Sequence, residues 1–161
     1  MKKSLLKKSE MTKIEEAAQK ELEVSSLYKH LSNHLQNIGY FGSAKFFLNE
    51  SSEELKHYQL WADFVNDRGG VLNVPSIKGQ VMEITSLKEA FEVYYENEEF
   101  LGEFYNEWYS ETKDATIHQR LIEFVGIQVK SIGEAGDFLA TLQQCGDDKS
   151  ALLLFDKETF E

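Results

Sequence analysis

Apolar residues recur through most of this chain in steps of three, four and seven, the period of helices that bury one face. The stretches that keep this period cover residues ~9–38, ~43–68, ~86–112 and ~116–145, followed by a short apolar segment at ~148–159. Glycines mark the joins, and the single proline, Pro75, lies in the longest one. The pattern predicts an all-α fold with four long helices and a short fifth helix at the C-terminal end.

The lengths of the joins indicate how these helices are arranged. Only a few residues separate the first helix from the second and the third from the fourth, so each pair is expected to form an antiparallel hairpin. The join between the second and third helices has ~17 residues, enough to run from one end of a bundle to the other. We predict a single domain over residues 1–161, an antiparallel four-helix bundle with a long crossover between helices 2 and 3.

The composition argues against several classes of protein. A net charge of −11 disfavours a nucleic-acid-binding protein, because such proteins need a basic surface. The single cysteine, Cys145, excludes an internal disulfide framework and a Cys-rich metal cluster. No apolar run approaches the ~20 residues that span a bilayer, and the basic start has no signal-peptide core. We expect a cytoplasmic protein that binds neither nucleic acid nor membrane.

One polar residue able to bind a metal stands near the middle of the core-facing stripe of each long helix. These residues are Glu21, Glu54, Glu98 and Gln128, and His57 follows Glu54 by three positions. A buried, unpaired carboxylate costs several kcal/mol, and a metal ion removes that cost. A Glu-x-x-His spacing places an oxygen and an imidazole nitrogen one turn apart on one helix face. Oxygen-rich ligation with one imidazole and no thiolate suits iron or manganese.

Each of these residues also has an interpretation that does not involve a metal. Glu-x-x-His is common on solvated helices, and a small rotation of a helix would turn Glu21 or Glu98 into an ordinary surface acid. Gln128 could be a hydrogen-bonded core amide, and Tyr28, which lies on the same stripe as Glu21, is more often a core residue than a redox partner. The metal interpretation rests on the coincidence across four helices.

These residues resemble those of the non-haem ferritins, iron-storage proteins with a ferroxidase di-iron site. The resemblance covers nearly the whole chain. Its strongest stretches are residues 20–32 (KELEVSSLYKHLS), 46–70 (FFLNESSEELKHYQLWADFVNDRGG), 128–146 (QVKSIGEAGDFLATLQQCG) and 154–160 (LFDKETF). The second stretch contains the family's pattern of two acids followed by histidine, and the last is similar to its short fifth helix. A ferritin-like fold is therefore implied.

The resemblance implies a role for each candidate residue. On the first helix, Glu21 matches the family's iron ligand and Tyr28 matches its site tyrosine. On the second helix, Glu54 matches the glutamate that bridges the two irons, and His57 matches the histidine of the first iron. Glu98 matches the glutamate of the second iron, and Gln128 matches the glutamine beside that iron. Two alternatives stay open. Glu23 could replace Glu21, although His30 would then stand at the tyrosine position. An alignment without a gap would put Ser131 in place of Gln128.

The chain also departs from its relatives. Leu55 stands where bacterioferritins have a methionine that ligates haem, so we expect no haem. The third iron site of bacterial ferritins keeps Glu53, but Ile127, Lys130 and Ser131 replace its acids on the fourth helix. The threefold channel that this helix normally lines is therefore also in doubt.

The functional expectation is an iron-storage protein. It would oxidise Fe(II) with O₂ or peroxide at a di-iron site and store the Fe(III) mineral inside a homo-oligomeric shell, of 24 subunits by family resemblance. Two alternatives are a di-iron or di-manganese oxidase without storage, and a structural helical bundle without metal.

Overall fold

The computed structural model describes residues 3–160, and in this range the regular structure consists of five α-helices without strands. The helices are α1 (Lys8–Ile38), α2 (Phe41–Asp67), α3 (Leu87–Glu111), α4 (Ala115–Cys145) and α5 (Lys149–Phe160). The order and bounds of these helices agree with those predicted from the hydrophobic period, with differences of at most about two residues at the ends. Over the described range, the helices are all too short or too polar to traverse a bilayer.

The chain divides into two compact units. The first comprises Met1–Ser32 and Phe46–Met82, and the second comprises Asn33–Lys45 and Glu83–Glu161. The first unit thus holds most of α1 and α2 with the start of the crossover, whereas the second holds α3, α4, α5 and the turn between α1 and α2. The prediction of one domain stays a prediction.

In the first unit, α1 and α2 pack as an antiparallel pair. Contacts run in opposite order along the two helices: the ring of Tyr28 lies 5.9 Å from that of Phe47, and Ser25 pairs with Ser51. The buried apolar residues of this part of α1 and α2 recur at helical spacing. They are Ile14, Ala17, Ala18, Val24, Leu27, Tyr28 and Leu31 on α1, and Phe47, Trp61, Phe64 and Val65 on α2.

In the second unit, α3 packs along α4, and both helices are capped at their N-terminal ends. Asp114 accepts hydrogen bonds from the backbone N–H groups of Thr116 and Ile117 at the start of α4, at 2.8 and 3.3 Å. At the start of α3, the side chain of Ser86 accepts a hydrogen bond from the N–H of Glu89, as in the first half of a capping box. Tyr105 of α3 stacks on Phe124 of α4 with ring centroids 4.8 Å apart.

The short helix α5 is fixed to the second unit by one buried carboxylate and by aromatic packing. Asp156 accepts hydrogen bonds from the backbone N–H groups of Gly42 and Ser43, at 3.0 and 2.7 Å, and thereby caps the first turn of α2. Phe155 contacts Phe91 of α3 with ring centroids 5.8 Å apart. Helix α5 is therefore an integral part of the second unit's core.

Candidate metal centre

Two glutamates and a histidine converge between α1 and α2 in the first unit. Each of Glu21, Glu54 and His57 contributes one donor atom, and these three atoms all lie within 4.8 Å of one another. Nδ1 of His57 is 2.9 Å from Oε2 of Glu54 and 3.5 Å from Oε2 of Glu21. Both glutamates are buried, and the His57 side chain is 13% exposed. We call these three residues the α1–α2 cluster.

The electrostatics of the α1–α2 cluster favour the uptake of positive charge. Burial raises the pKa of Glu54 well above its usual range; the hydrogen bond with His57 opposes this rise, and the nearby Glu21 carboxylate adds to it. Burial by itself lowers the pKa of His57, but the hydrogen bonds and charges of Glu21 and Glu54 prevail and raise it to about 10. The cluster therefore retains a proton at neutral pH, and a cation can take that proton's place.

A second pair of candidates meets inside the second unit. Gln128 is buried on α4, and its amide Nε2 donates to Oε2 of Glu98 on α3 at 2.7 Å and to the Glu98 backbone carbonyl at 3.2 Å. The amide thereby fixes the carboxylate of Glu98 in one orientation. The structure thus brings Glu98 and Gln128 together as one hydrogen-bonded pair, which we call the Glu98–Gln128 pair.

The alternative ligands take other positions. Glu23 is half-buried on α1 and accepts a hydrogen bond from Nε2 of Gln19 at 2.9 Å, whereas Glu21 lies in the α1–α2 cluster. Ser131 is half-buried, whereas Gln128 is buried against Glu98. The geometry thus favours Glu21 over Glu23 and Gln128 over Ser131 as site residues.

Tyr28 is fully buried two helical turns after Glu21, on the same face of α1. Its ring packs against Phe47 of α2 at a centroid distance of 5.9 Å and an angle of 51°. The structure therefore assigns Tyr28 a packing role in the core of the first unit. A redox role for this residue stays a prediction.

Sequence reasoning missed a polar contact one turn away from the cluster. The hydroxyls of Ser25 and Ser51 pair across α1 and α2, with the two Oγ atoms 2.9 Å apart. A serine on a core-facing stripe, as at Ser51, is the signal that could have indicated this contact. Ser25 gave no such signal, because it stands beside the apolar residue Val24 in the stripe.

The donor set of the α1–α2 cluster suits a divalent cation of the iron or manganese type. Two carboxylates supply negative charge and hard oxygen donors, and one imidazole adds a nitrogen. No thiolate takes part: Cys145, the only cysteine in the sequence, lies at the C-terminal end of α4. A cation bound here would offset the repulsion between the two buried carboxylates.

Comparisons with known proteins agree with this fold. The chain matches the model of the Ferritin-like domain family over residues 11–145. It is 29% identical over 137 residues to a probable bacterial non-heme ferritin-like protein of Haemophilus influenzae, with 83% of each chain covered. It is 28% identical over 134 residues to a bacterial non-heme ferritin of Staphylococcus aureus, with 81% of each chain covered. These matches span all four long helices.

Solved structures of ferritins are also similar to this chain. An open pore ferritin from the hyperthermophilic archaeon Archaeoglobus fulgidus is similar with a TM-score of 0.92 and 28% identity, covering 95% of each chain. A humanized archaeal ferritin is similar with a TM-score of 0.91 and 29% identity, again covering 95% of each chain. The chain therefore belongs to the ferritin family. The resemblance to non-haem ferritins and the ferritin-like, all-α four-helix fold class are confirmed.

Proposed function

We propose that this protein is an iron-storage ferritin that oxidises Fe(II) before storing it. The observation that carries the proposal is the α1–α2 cluster: two buried carboxylates and an imidazole whose donor atoms lie within 4.8 Å of one another. Two carboxylates buried beside one protonated histidine favour the binding of a divalent cation, which would replace the proton and offset the repulsion between them. Membership of the ferritin family makes Fe(II) the expected cation and substrate.

Each residue of the proposed site has a distinct role. Glu21 and Glu54 supply charge and oxygen donors, with Glu54 as the proposed bridge between two ferrous ions. His57 supplies a neutral nitrogen donor once its proton has left. Glu98 supplies the carboxylate of the second ion, and Gln128 orients it through the 2.7 Å hydrogen bond. The redox chemistry belongs to the iron, with O₂ or peroxide as the proposed oxidant.

The proposal extends to the assembly and location of the protein. The structural relative from Archaeoglobus fulgidus is described as an open pore ferritin, which supports an assembly that encloses space in this protein as well. We propose a homo-oligomeric shell, of 24 subunits by family resemblance, in the cytoplasm and without haem. The non-heme relatives support the absence of haem.

The most direct test of the chemistry removes the ligands that α2 contributes. The variant Glu54→Ala plus His57→Ala should lose at least about 100-fold in the initial rate of Fe(II) oxidation, because two of the three cluster donors are gone. A matched control is Lys88→Ala plus Glu92→Ala, which removes an exposed acid–base pair on α3. Oxidation at the wild-type rate in the first variant would show that the cluster is not the site.

Storage is tested separately from oxidation. After aerobic loading with Fe(II), the native particle should have a mass of several hundred kilodaltons and carry many irons per chain. A monomer or dimer that still oxidises Fe(II) would instead identify a di-iron oxidase without storage, the second candidate function. A dimer or monomer without either activity would favour a structural helical bundle.

A further inference from the structure

We propose that Ser25 and Ser51 are positioning residues for the metal centre: their reciprocal hydrogen bonds fix the register of α1 against α2, so that the donor atoms of the α1–α2 cluster converge. This inference rests on the proposed function, because it concerns how the same site is built. Neither serine belongs to the proposed ligand set.

The contact between the two serines is fully reciprocal. Oγ of Ser25 donates to the backbone carbonyl of Ser51 at 2.8 Å, and Oγ of Ser51 donates to the backbone carbonyl of Ser25 at 2.8 Å. The two hydroxyl oxygens lie 2.9 Å apart. Both residues are buried, with 3% and 0% of their surface exposed. Because each side chain bonds to the backbone of the other helix, the contact fixes the position of α1 relative to α2.

The Ser25–Ser51 pair lies next to the cluster on both helices. Ser25 follows Glu21 by four residues on α1, and Ser51 precedes Glu54 by three residues on α2. Residues three or four apart share one helix face, so each serine lies one turn from a ligand on the same face. The antiparallel arrangement therefore stacks the serine pair and the Glu21–Glu54 pair as adjacent layers of a single interface.

A polar pair specifies register more sharply than an apolar pair would. Sliding α1 along α2 by one residue moves a side chain by about 1.5 Å and turns it by about 100°. Such a slip would leave two buried hydroxyls without partners, at about 1–3 kcal/mol each. Apolar neighbours such as Phe47 can repack with smaller losses. The serine pair thus penalises the misalignments that would separate Glu21 from Glu54 and His57.

Small side chains also set the distance between the helices. Interaxial distance depends on the side chains at the contact, and serine on both sides permits a close approach of the two backbones. The close approach matters at the cluster one turn away, where Nδ1 of His57 lies 3.5 Å from Oε2 of Glu21 on the opposite helix. A wider spacing would leave His57 and Glu54 as a two-donor site on α2 alone.

The test compares four serine variants of the full-length protein: Ser25→Ala, Ser51→Ala, the two changes combined, and a control. Ser25→Ala plus Ser51→Ala removes both partners together, which is nearly neutral for stability. Ser25→Ala alone keeps the bond from Ser51 Oγ to the Ser25 carbonyl. The matched control is Ser43→Ala, since Ser43 is also a buried serine of α2 and its hydroxyl is a buried donor that makes no hydrogen bond in the described part of the chain.

The readouts are anaerobic Fe(II) affinity and the KM and kcat of Fe(II) oxidation. We expect the double variant to bind Fe(II) about 10-fold more weakly or worse, as for other residues that orient metal ligands. KM should rise more than kcat falls, and Ser43→Ala should match wild type. The loss in the double variant should be smaller than the sum of the two single losses, because the serines act as one contact.

Several outcomes would overturn the inference. Wild-type affinity in the double variant, or an equal loss in Ser43→Ala, would show that the serine pair is only packing. If the double variant does not fold, Ser25→Ala alone decides, and unchanged affinity there would also contradict the proposal. Failure of the proposed function is distinguishable, since it would leave Fe(II) oxidation unchanged in Glu54→Ala plus His57→Ala.

Discussion

Two buried carboxylates of this protein, Asp156 and Glu54, have opposite surroundings. Asp156 of α5 is 6% exposed and accepts hydrogen bonds from the backbone N–H groups of Gly42 and Ser43. Glu54 of α2 is 4% exposed and faces a second carboxylate, Glu21, together with His57. Asp156 is bonded to two backbone donors, whereas Glu54 is buried beside a second carboxylate and one histidine.

The contrast teaches how to separate a structural acid from a functional one. At the first turn of α2, free N–H groups and the helix dipole favour a negative charge, so Asp156 stabilises the fold as it stands. In the α1–α2 cluster, burial raises the pKa of Glu54 because the ionised form lacks adequate compensation. Asp156, with two backbone donors, therefore contributes to the fold as it stands, whereas Glu54, beside a second carboxylate, would gain from a bound cation.

The largest effect is expected where α2 and α5 meet. A Cβ atom on Gly42 would lie 2.2 Å from the backbone oxygen of Asp156, which rigid backbone cannot accommodate. Gly42→Ala should lower the free energy of unfolding by about 3 kcal/mol, measured by chemical denaturation.

The matched control is Gly126→Ala, since a Cβ on this glycine of α4 would meet nothing within 4 Å. That change should instead raise stability by about 0.5–1 kcal/mol, because alanine favours the helix. Equal effects of the two substitutions would contradict the close packing of α5 on α2.

The next largest effect is expected when a divalent cation is added, since the cation should act on the α1–α2 cluster and not on Asp156. A divalent cation at about 100 times its dissociation constant should stabilise the native protein by about 2.7 kcal/mol, because it binds only the folded cluster. The thermal midpoint should rise by the same amount in wild type and in Asp156→Ala. Glu54→Ala plus His57→Ala should show no rise, and a rise there would place the cation elsewhere.

Removing the structural carboxylate should destabilise the protein by a smaller amount. Asp156→Ala leaves the N–H groups of Gly42 and Ser43 without their acceptor, which costs about 1–2 kcal/mol, as for other helix caps. Fe(II) affinity should not change. Denaturation and binding measured on the same preparation check both statements, and an unchanged denaturation midpoint would mean that the cap contributes nothing.

The smallest effect has the opposite sign. Glu21→Gln removes one of two like charges while His57 keeps its 2.9 Å contact with Glu54. We expect the apo protein to gain about 1 kcal/mol in stability, since a neutral side chain of similar shape removes the repulsion between the two buried carboxylates. Fe(II) affinity should fall in the same variant. A loss of apo stability would show that Glu21 is as well satisfied as Asp156.

Much of the fold was predictable because it follows from the period of the apolar residues and the spacing between polar ones. The helices are long and amphipathic, so the apolar repeat alone locates them and sets the phase that turns Glu21 inward. The three-residue spacing of Glu54 and His57 places both side chains on one face of α2. The position of Gln128 against Glu98 could only be inferred through family resemblance, because the short join before α4 leaves its alignment ambiguous.

Other features could not be read from the pattern, for physical reasons. Asp156 caps a helix that begins more than 100 residues earlier in the chain, and an acid on a short helix has no periodic signal of burial. The sequence gives no sign that Ser25 is buried either, because serine is common on both exposed and buried faces. Its role depends on the partner across the interface, Ser51, which only tertiary structure reveals.

The most direct measurement of the central claim is an anaerobic titration of the metal-free protein with Fe(II). It should be run on wild type, on Glu54→Ala plus His57→Ala, and on the exposed-pair control Lys88→Ala plus Glu92→Ala. We expect tight Fe(II) binding in wild type and in the control, and loss of that tight binding in the cluster variant. An identical isotherm for all three proteins would contradict the assignment of the α1–α2 cluster as the iron site.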